Sequence, residues 1–208
     1  TSELVAKAIQ AAAMRCDLPE GVFSMLIGDG RQIGQSLVSH AEIKAVGFTG
    51  SRQGGLALMR TAAQRAEPIP VYAEMSSINP VFLLPHAVKE RASSIATQFV
   101  DSLTLGSGQF CTNPGVLVAL NHPNLEPLLA TASAALSDKI ATTMLTPGIH
   151  QAYCHGVSSL AQQANVDLVA SSPAGSTSCS AQAHLFTCPA QQFLANSHLS
   201  AEIFGPTS

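Results

Sequence analysis

Apolar residues recur along this chain with two periods, and the segments that carry them alternate. Leu4, Val5, Ala8, Ile9 and Ala12 keep the three-to-four spacing of one helix face. Cys16 to Gly21 breaks that pattern, Val22 to Ile27 reads as a strand, and Gln32 to Ser39 as a short helix. Ala45 to Phe48 is a second strand, entering the turn Thr49-Gly50-Ser51. Arg52 to Ala66 follows as a helix with Leu56, Met59, Ala63 and Ala66 inward, closed by Glu67-Pro68-Ile69-Pro70. The apolar run Ile69 to Ala73 then ends at Glu74, before Ser76-Ser77 and the pair Asn79-Pro80, which favour turns.

The second half keeps this alternation. In the stretch Ala87 to Leu105, the residues Val88, Ala92, Ile95, Phe99 and Leu103 have helical spacing, and Val116 to Leu120 reads as a buried strand. Helices are expected at Asn124 to Ile140 and Gly148 to Ala164. Val166 to Val169 and Ala183 to Thr187 are strand candidates around a surface loop, Ser171 to Ser178. Strands interleaved with helices predict an α/β chain with mostly parallel sheets covered by helices. No internal repeat is found.

Composition narrows the functional classes. The chain has 208 residues, a formal net charge of −3, 11% charged and 5% aromatic residues. That balance gives no electrostatic basis for binding nucleic acid or an anionic membrane, and no run approaches the apolar length of a membrane span. Five cysteines at irregular spacing do not form a disulfide framework, so a reducing, cytoplasmic setting is the simpler expectation. His150, Cys154 and His155 invite a metal reading, but no second ligand pair with structural-site spacing accompanies them, and none is assigned. Arg15, Arg31, Arg52, Arg60 and Arg65 are read as solvated helix faces.

Two residues stand out chemically. Cys111 lies in the small-residue loop Gly106-Ser107-Gly108-Gln109-Phe110-Cys111-Thr112-Asn113-Pro114-Gly115, where a thiol can approach a ligand, although a cysteine in a chain this apolar also serves as an inert core residue. Glu74, at a strand end, would make a general base if a cleft desolvated it and raised its pKa toward neutrality; the alternative is a solvated carboxylate. Two glycine loops could receive a phosphate. Gly28-Asp29-Gly30 leading to Gly34 lacks the Rossmann spacing, whereas Gly50-Ser51 sits where a strand turns into a helix, with its amides and hydroxyl available to an anion or to an N-cap.

Five blocks in order resemble the aldehyde dehydrogenase superfamily: Gly28 to Gly34; Phe48-Thr49-Gly50-Ser51 leading to Gly55; the Glu74 block, Ala73-Glu74-Met75-Ser76-Ser77-Ile78-Asn79-Pro80; Gly108-Gln109-Phe110-Cys111; and Glu202-Ile203-Phe204-Gly205-Pro206. The Glu74 block looks most like the branch containing α-ketoglutarate semialdehyde (2,5-dioxovalerate) dehydrogenases and related NADP-linked enzymes. The resemblance spans the chain, but family members are more than twice as long, so the sequence looks like a central fragment that is inactive alone.

The resemblance implies oxidation of an aldehyde to a carboxylic acid with NAD or NADP, Cys111 as nucleophile and Glu74 as base. Gly50, Ser51 and Gly55 would lie at the cofactor phosphates, and Glu202 and Phe204 at the nicotinamide ribose and ring. It further implies that the chain holds parts of two α/β domains, residues 1–75 belonging to the dinucleotide-binding domain and 76–208 to the catalytic domain, and that the full-length parent is a homo-oligomer. Two readings stay open beside it: a CoA-acylating semialdehyde dehydrogenase, against which Glu74 argues, and a non-catalytic protein on the same fold.

Overall fold

The computed structural model describes residues 1–208 and divides into two compact units, Thr1–Met75 and Ser76–Ser208. The first contains the helices α1 (Ser2–Arg15), α2 (Gly30–Ser39) and α3 (Arg52–Ala63) and the strands β1 (Val46–Thr49) and β2 (Val71–Glu74). β1 and β2 pair in parallel, with Val46 opposite Val71 and Thr49 opposite Glu74, and α3 is the crossover between them. The ladder is extended by one further bond, the Gly50 amide donating to the Glu74 carbonyl at 3.1 Å.

Several expectations for this unit change. Val22 to Ile27 joins no strand ladder, and Val22, Met25, Leu26 and Ile27 are exposed. An apolar run becomes a strand only where an edge accepts its amides and carbonyls, and the β1–β2 ladder does not take it. On α1, Ala6 is buried while Leu4, Val5 and Ile9 are exposed. α3 stops at Ala63 and turns Gly55 and Ala62 inward, leaving Met59, Ala63 and Ala66 exposed. The reason is steric: a Cβ on Gly55 would overlap the Met75 side chain, so the small residues, not the large ones, allow the helix to approach β2. Arg65 is half-buried and bonded to backbone, not a freely solvated side chain. Its guanidinium donates to the carbonyls of Val38 (3.0 Å), Ala41 (3.2 Å) and Ile43 (2.9 Å), groups that the end of α2 and the segment after it leave free.

The second unit contains β3 (Pro80–Leu83), α4 (Pro85–Thr104), β4 (Val116–Ala119), α5 (Leu125–Ser137), β5 (Thr142–Thr143), α6 (Pro147–Ala161), β6 (Asp167–Ser171), β7 (Ser180–Ala181), β8 (His184–Thr187) and α7 (Ala190–Ala195). β3 and β4 are parallel, with Pro80 opposite Val116. β5–β7 and β6–β8 are antiparallel, unlike the mostly parallel pairing read from the helix–strand order. The chain returns from β6 to β8 without a crossover helix, and a direct return makes an antiparallel pair. Within the expected surface loop, β6 runs through Ser171 and Ser172 is buried, its hydroxyl accepting from the Ala183 amide at 2.9 Å.

α4 follows its predicted face closely. Val88, Phe99 and Leu103 are buried with Ala96 and Val100, against Leu128, Ala132 and Leu136 of α5 and Leu83, Ala183 and Leu185 from the strand side. Ala92 and Ile95 pack on the rim of this core. A second cluster joins Met144, Tyr153 and Ala181, with Ile203 packed against it. No helix is long and apolar enough to cross a membrane.

Candidate functional site

The parallel register of β3 and β4 sets the segments that enter these strands side by side. Those segments are Ser76–Asn79 and Cys111–Gly115, and hydrogen bonds join them. Ser77 Oγ donates to the Cys111 carbonyl at 2.7 Å, and Asn79 Nδ2 donates to the same carbonyl at 2.7 Å and to the Asn113 carbonyl at 3.1 Å. Asn113 in turn donates from Nδ2 to the Leu103 carbonyl at 3.1 Å, tying the loop to the end of α4. Cys111 itself is exposed and unpaired with any other cysteine, on a turn closed by the Asn113 amide to the Phe110 carbonyl at 3.1 Å.

The approach to Cys111 is a run of left-handed backbone. Gly106, Ser107 and Gly108 have φ of 56°, 57° and 65°. Gly108 satisfies two demands together: this φ, which costs an L-residue free energy, and close approach, since a Cβ there would overlap the Gly205 carbonyl. Gly108 and Gly205 therefore set the Cys111 loop against the segment Glu202–Pro206. Gln109 braces the loop from the other side, accepting at Oε1 from the Leu145 amide at 2.9 Å.

Glu202 is half-buried, and its Oε1 accepts from the Ser77 amide at 3.0 Å. Phe204 is 40% exposed. Behind them, Tyr153 holds the end of the segment. Its hydroxyl donates to the Gln182 carbonyl and meets Thr207 Oγ1 at 2.8 Å and His184 Nδ1 at 3.1 Å. The Pro206 and Ser208 carbonyls accept from the His184 and Phe186 amides, at 2.9 Å and 2.8 Å, so this segment runs beside β8. Burial pushes the Tyr153 phenol well above its ordinary pKa and holds the His184 imidazole below its own.

In the first unit, Gly50, Ser51 and Glu74 gather at the carboxyl ends of β1 and β2. Ser51 is the N-cap of α3, its Oγ accepting from the Gly54 amide at 3.1 Å. Ser51, Arg52 and Gln53 are exposed and no acid lies in the first turn of α3. The donor set therefore suits a phosphate: first-turn amides, a hydroxyl and a guanidinium. The loop Gly28-Asp29-Gly30 differs. Asp29 caps α2, accepting from the amides of Arg31 (2.9 Å) and Gln32 (3.4 Å), so a carboxylate already occupies the position an anion would take. Gly55, expected at the cofactor, is buried against Met75 and Ala73, so its missing side chain serves helix packing within the unit. Glu74, for which the sequence leaves open both a desolvated strand-end base and a solvated carboxylate, is exposed in this unit.

On α6, Cys154 Sγ lies 3.5 Å from His150 Nε2, which also contacts the Ser180 carbonyl at 3.2 Å, and no group of three metal-ligating side chains forms there or elsewhere. Sequence reasoning overlooked Ser77, Asn79, Asn113 and Tyr153. Ser77 and Asn79 carried only a turn signal; their hydrogen bonds to residues more than thirty positions away have no local signature.

The chain belongs to the aldehyde dehydrogenase family, whose model matches residues 1–207. Among curated proteins it is 53% identical over its whole length to alpha-ketoglutaric semialdehyde dehydrogenase 2 of Azospirillum brasilense, covering 40% of that protein. It is 37% identical to alpha-ketoglutaric semialdehyde dehydrogenase of Acinetobacter baylyi, covering 39%. The chain thus spans about two fifths of the length of these relatives. Among solved structures, Bradyrhizobium japonicum proline utilization A matches with a TM-score of 0.79 at 21% identity, over 99% of this chain and 21% of that one. A putative aldehyde dehydrogenase from Burkholderia cenocepacia matches with a TM-score of 0.76 at 20% identity, over 96% of this chain and 43% of that one. At these identities the structural matches speak for the fold, which is α/β.

Proposed function

We propose that these residues form part of an NAD- or NADP-dependent dehydrogenase that oxidises an aldehyde to its carboxylic acid, with α-ketoglutaric semialdehyde as the substrate. The observation that carries this reading is an exposed cysteine on a loop fixed from three sides, in a chain of this family. The substrate is taken from the names of the two semialdehyde dehydrogenases to which the chain is similar.

In this reading Cys111 Sγ, as thiolate, attacks the aldehyde carbon to give a thiohemiacetal, and the Cys111 amide donates to the oxyanion. A bound nicotinamide supplies the hydride acceptor. With that acceptor bound, loss of hydride alone from the oxyanion adduct would leave a thioester on Cys111. Glu74 takes a proton from water, whose oxygen adds to the thioester carbon; the acid departs and the thiol is restored. Gly50 and Ser51, with the first turn of α3, hold the cofactor phosphates through amides and a hydroxyl. Glu202 accepts from the ribose hydroxyls on the carboxylate edge that Ser77 leaves free, and Phe204 flanks the ring. Residues 1–75 then serve the dinucleotide and supply the base Glu74, and 76–208 supply the nucleophile.

The test is a chimera in which this chain replaces the matching two fifths of the Azospirillum brasilense relative. It is expected to reduce NAD or NADP with α-ketoglutaric semialdehyde, and Cys111→Ala is expected to lower kcat by at least about a hundredfold with cofactor affinity unchanged. A folded Cys111→Ala chimera retaining more than roughly a tenth of the parent rate overturns the assignment.

A further inference from the structure

We propose that Ser77 is a positioning residue for Cys111, and that its hydroxyl, by engaging the Cys111 carbonyl, sustains the reactivity of the sulfur. This rests on the reading of Cys111 as the nucleophile. Ser77 engages two parts of the site at once: its amide donates to Glu202 Oε1 at 3.0 Å, and its hydroxyl donates to the Cys111 carbonyl at 2.7 Å. Asn79 is the second donor to that carbonyl, also at 2.7 Å.

The carbonyl of Cys111 lies on the same residue as the sulfur and acts on it electrostatically. A carbonyl oxygen carries partial negative charge, and unopposed charge beside a thiol disfavours the thiolate. Two donated hydrogens turn the oxygen toward the segment entering β3 and offset its charge. Fixing this carbonyl also holds the loop that presents the Cys111 side chain. Ser77 is half-buried and lies on the segment entering β3, so its hydroxyl is presented by backbone that the β3–β4 ladder holds. The amide contact to Glu202 uses the backbone and survives replacement of the side chain. Ser77→Ala therefore removes the Cys111 contact while leaving the Glu202 contact in place.

The experiment measures iodoacetamide alkylation of the folded 208-residue chain, resolved by peptide mass spectrometry. Cys16 and Cys154, both exposed, serve as internal references. Ser77→Ala is expected to slow alkylation at Cys111 by about threefold or more at neutral pH with the references unchanged. Ser77→Thr, which keeps the hydroxyl, restores the rate. Simple loosening of the loop would speed alkylation, so an unchanged or faster rate in Ser77→Ala, or failure of Ser77→Thr to restore it, overturns the proposal. Failure of the nucleophile reading shows elsewhere, as a Cys111→Ala chimera that still oxidises aldehyde.

Discussion

The two units hold their chemistry-bearing residues by different means. In Thr1–Met75 the buried apolar residues are Ala6, Val38 and Ala62, and Gly50, Ser51 and Glu74 sit on the end of a two-stranded ladder. In Ser76–Ser208 a continuous core of large side chains runs from Leu83 to Leu185, and the Cys111 loop is bonded to Ser77, Asn79, Leu103 and Leu145. Burial of Leu and Val at about 25 cal/mol per Å² gives the second unit a driving force that three small or medium side chains cannot match. A reactive side chain that must be held to a fraction of an ångström belongs on the better-braced unit. A phosphate site made of first-turn amides needs only an intact helix end.

The contrast is greatest at Gly108. Gly108→Ala must accommodate both the left-handed backbone and overlap with the Gly205 carbonyl, and relief requires backbone to move. It is expected to cost more than about 4 kcal/mol of second-unit stability, read as loss of its cooperative transition in urea. A Gly108→Ala chain as stable as the parent would mean that the loop and the Glu202–Pro206 segment do not pack as described.

The difference between the cores is the next largest. Leu103→Ala should cost about 2 to 5 kcal/mol, since Leu103 is fully buried between α4 and α5. Val38→Ala, the corresponding deletion in the first unit, should cost about 2 kcal/mol or less. Equal costs would erase the distinction between a thick and a thin core. Ser51→Ala probes the helix end of the first unit: loss of the α3 cap should cost about 1 kcal/mol, seen as faster amide exchange at Gly54 with second-unit exchange unchanged.

The smallest effect is a pH dependence of the second unit. Burial lowers the His184 pKa from its ordinary value of 6.5, against an opposing hydrogen bond that the ring donates to the Gln182 backbone. Below about pH 6.5 the unfolded chain therefore binds a proton that the folded chain resists, so stability is full above that pH and declines as pH falls toward the folded value. Tyr153 acts at the other limit. Its raised pKa means that stability is full below about pH 10 and declines as pH rises beyond it. Urea midpoints measured across pH on the wild-type chain and on His184→Gln, where the acid decline should vanish, check both signs.

Read alone, the chain specifies periodicity and the chemistry of its residue types. Helical spacing identified the buried face of α4 because that helix lies between two surfaces of its own unit. The same spacing misjudged α1 and α3. Periodicity tells which residues share a face, whereas Leu4 and Ile9 remain exposed because nothing in their unit covers them, and α3 turns its glycine and alanine inward because β2 and Met75 lie close. Five blocks placed Glu74, Cys111 and Glu202 in order along the chain. The folded arrangement was needed to show that Asp29 closes one helix end to anions while Ser51 leaves another open. It alone brought Ser77 and Asn79 to the Cys111 carbonyl, because a parallel register between β3 and β4 is a relation between distant segments, and no local pattern encodes which of them will meet.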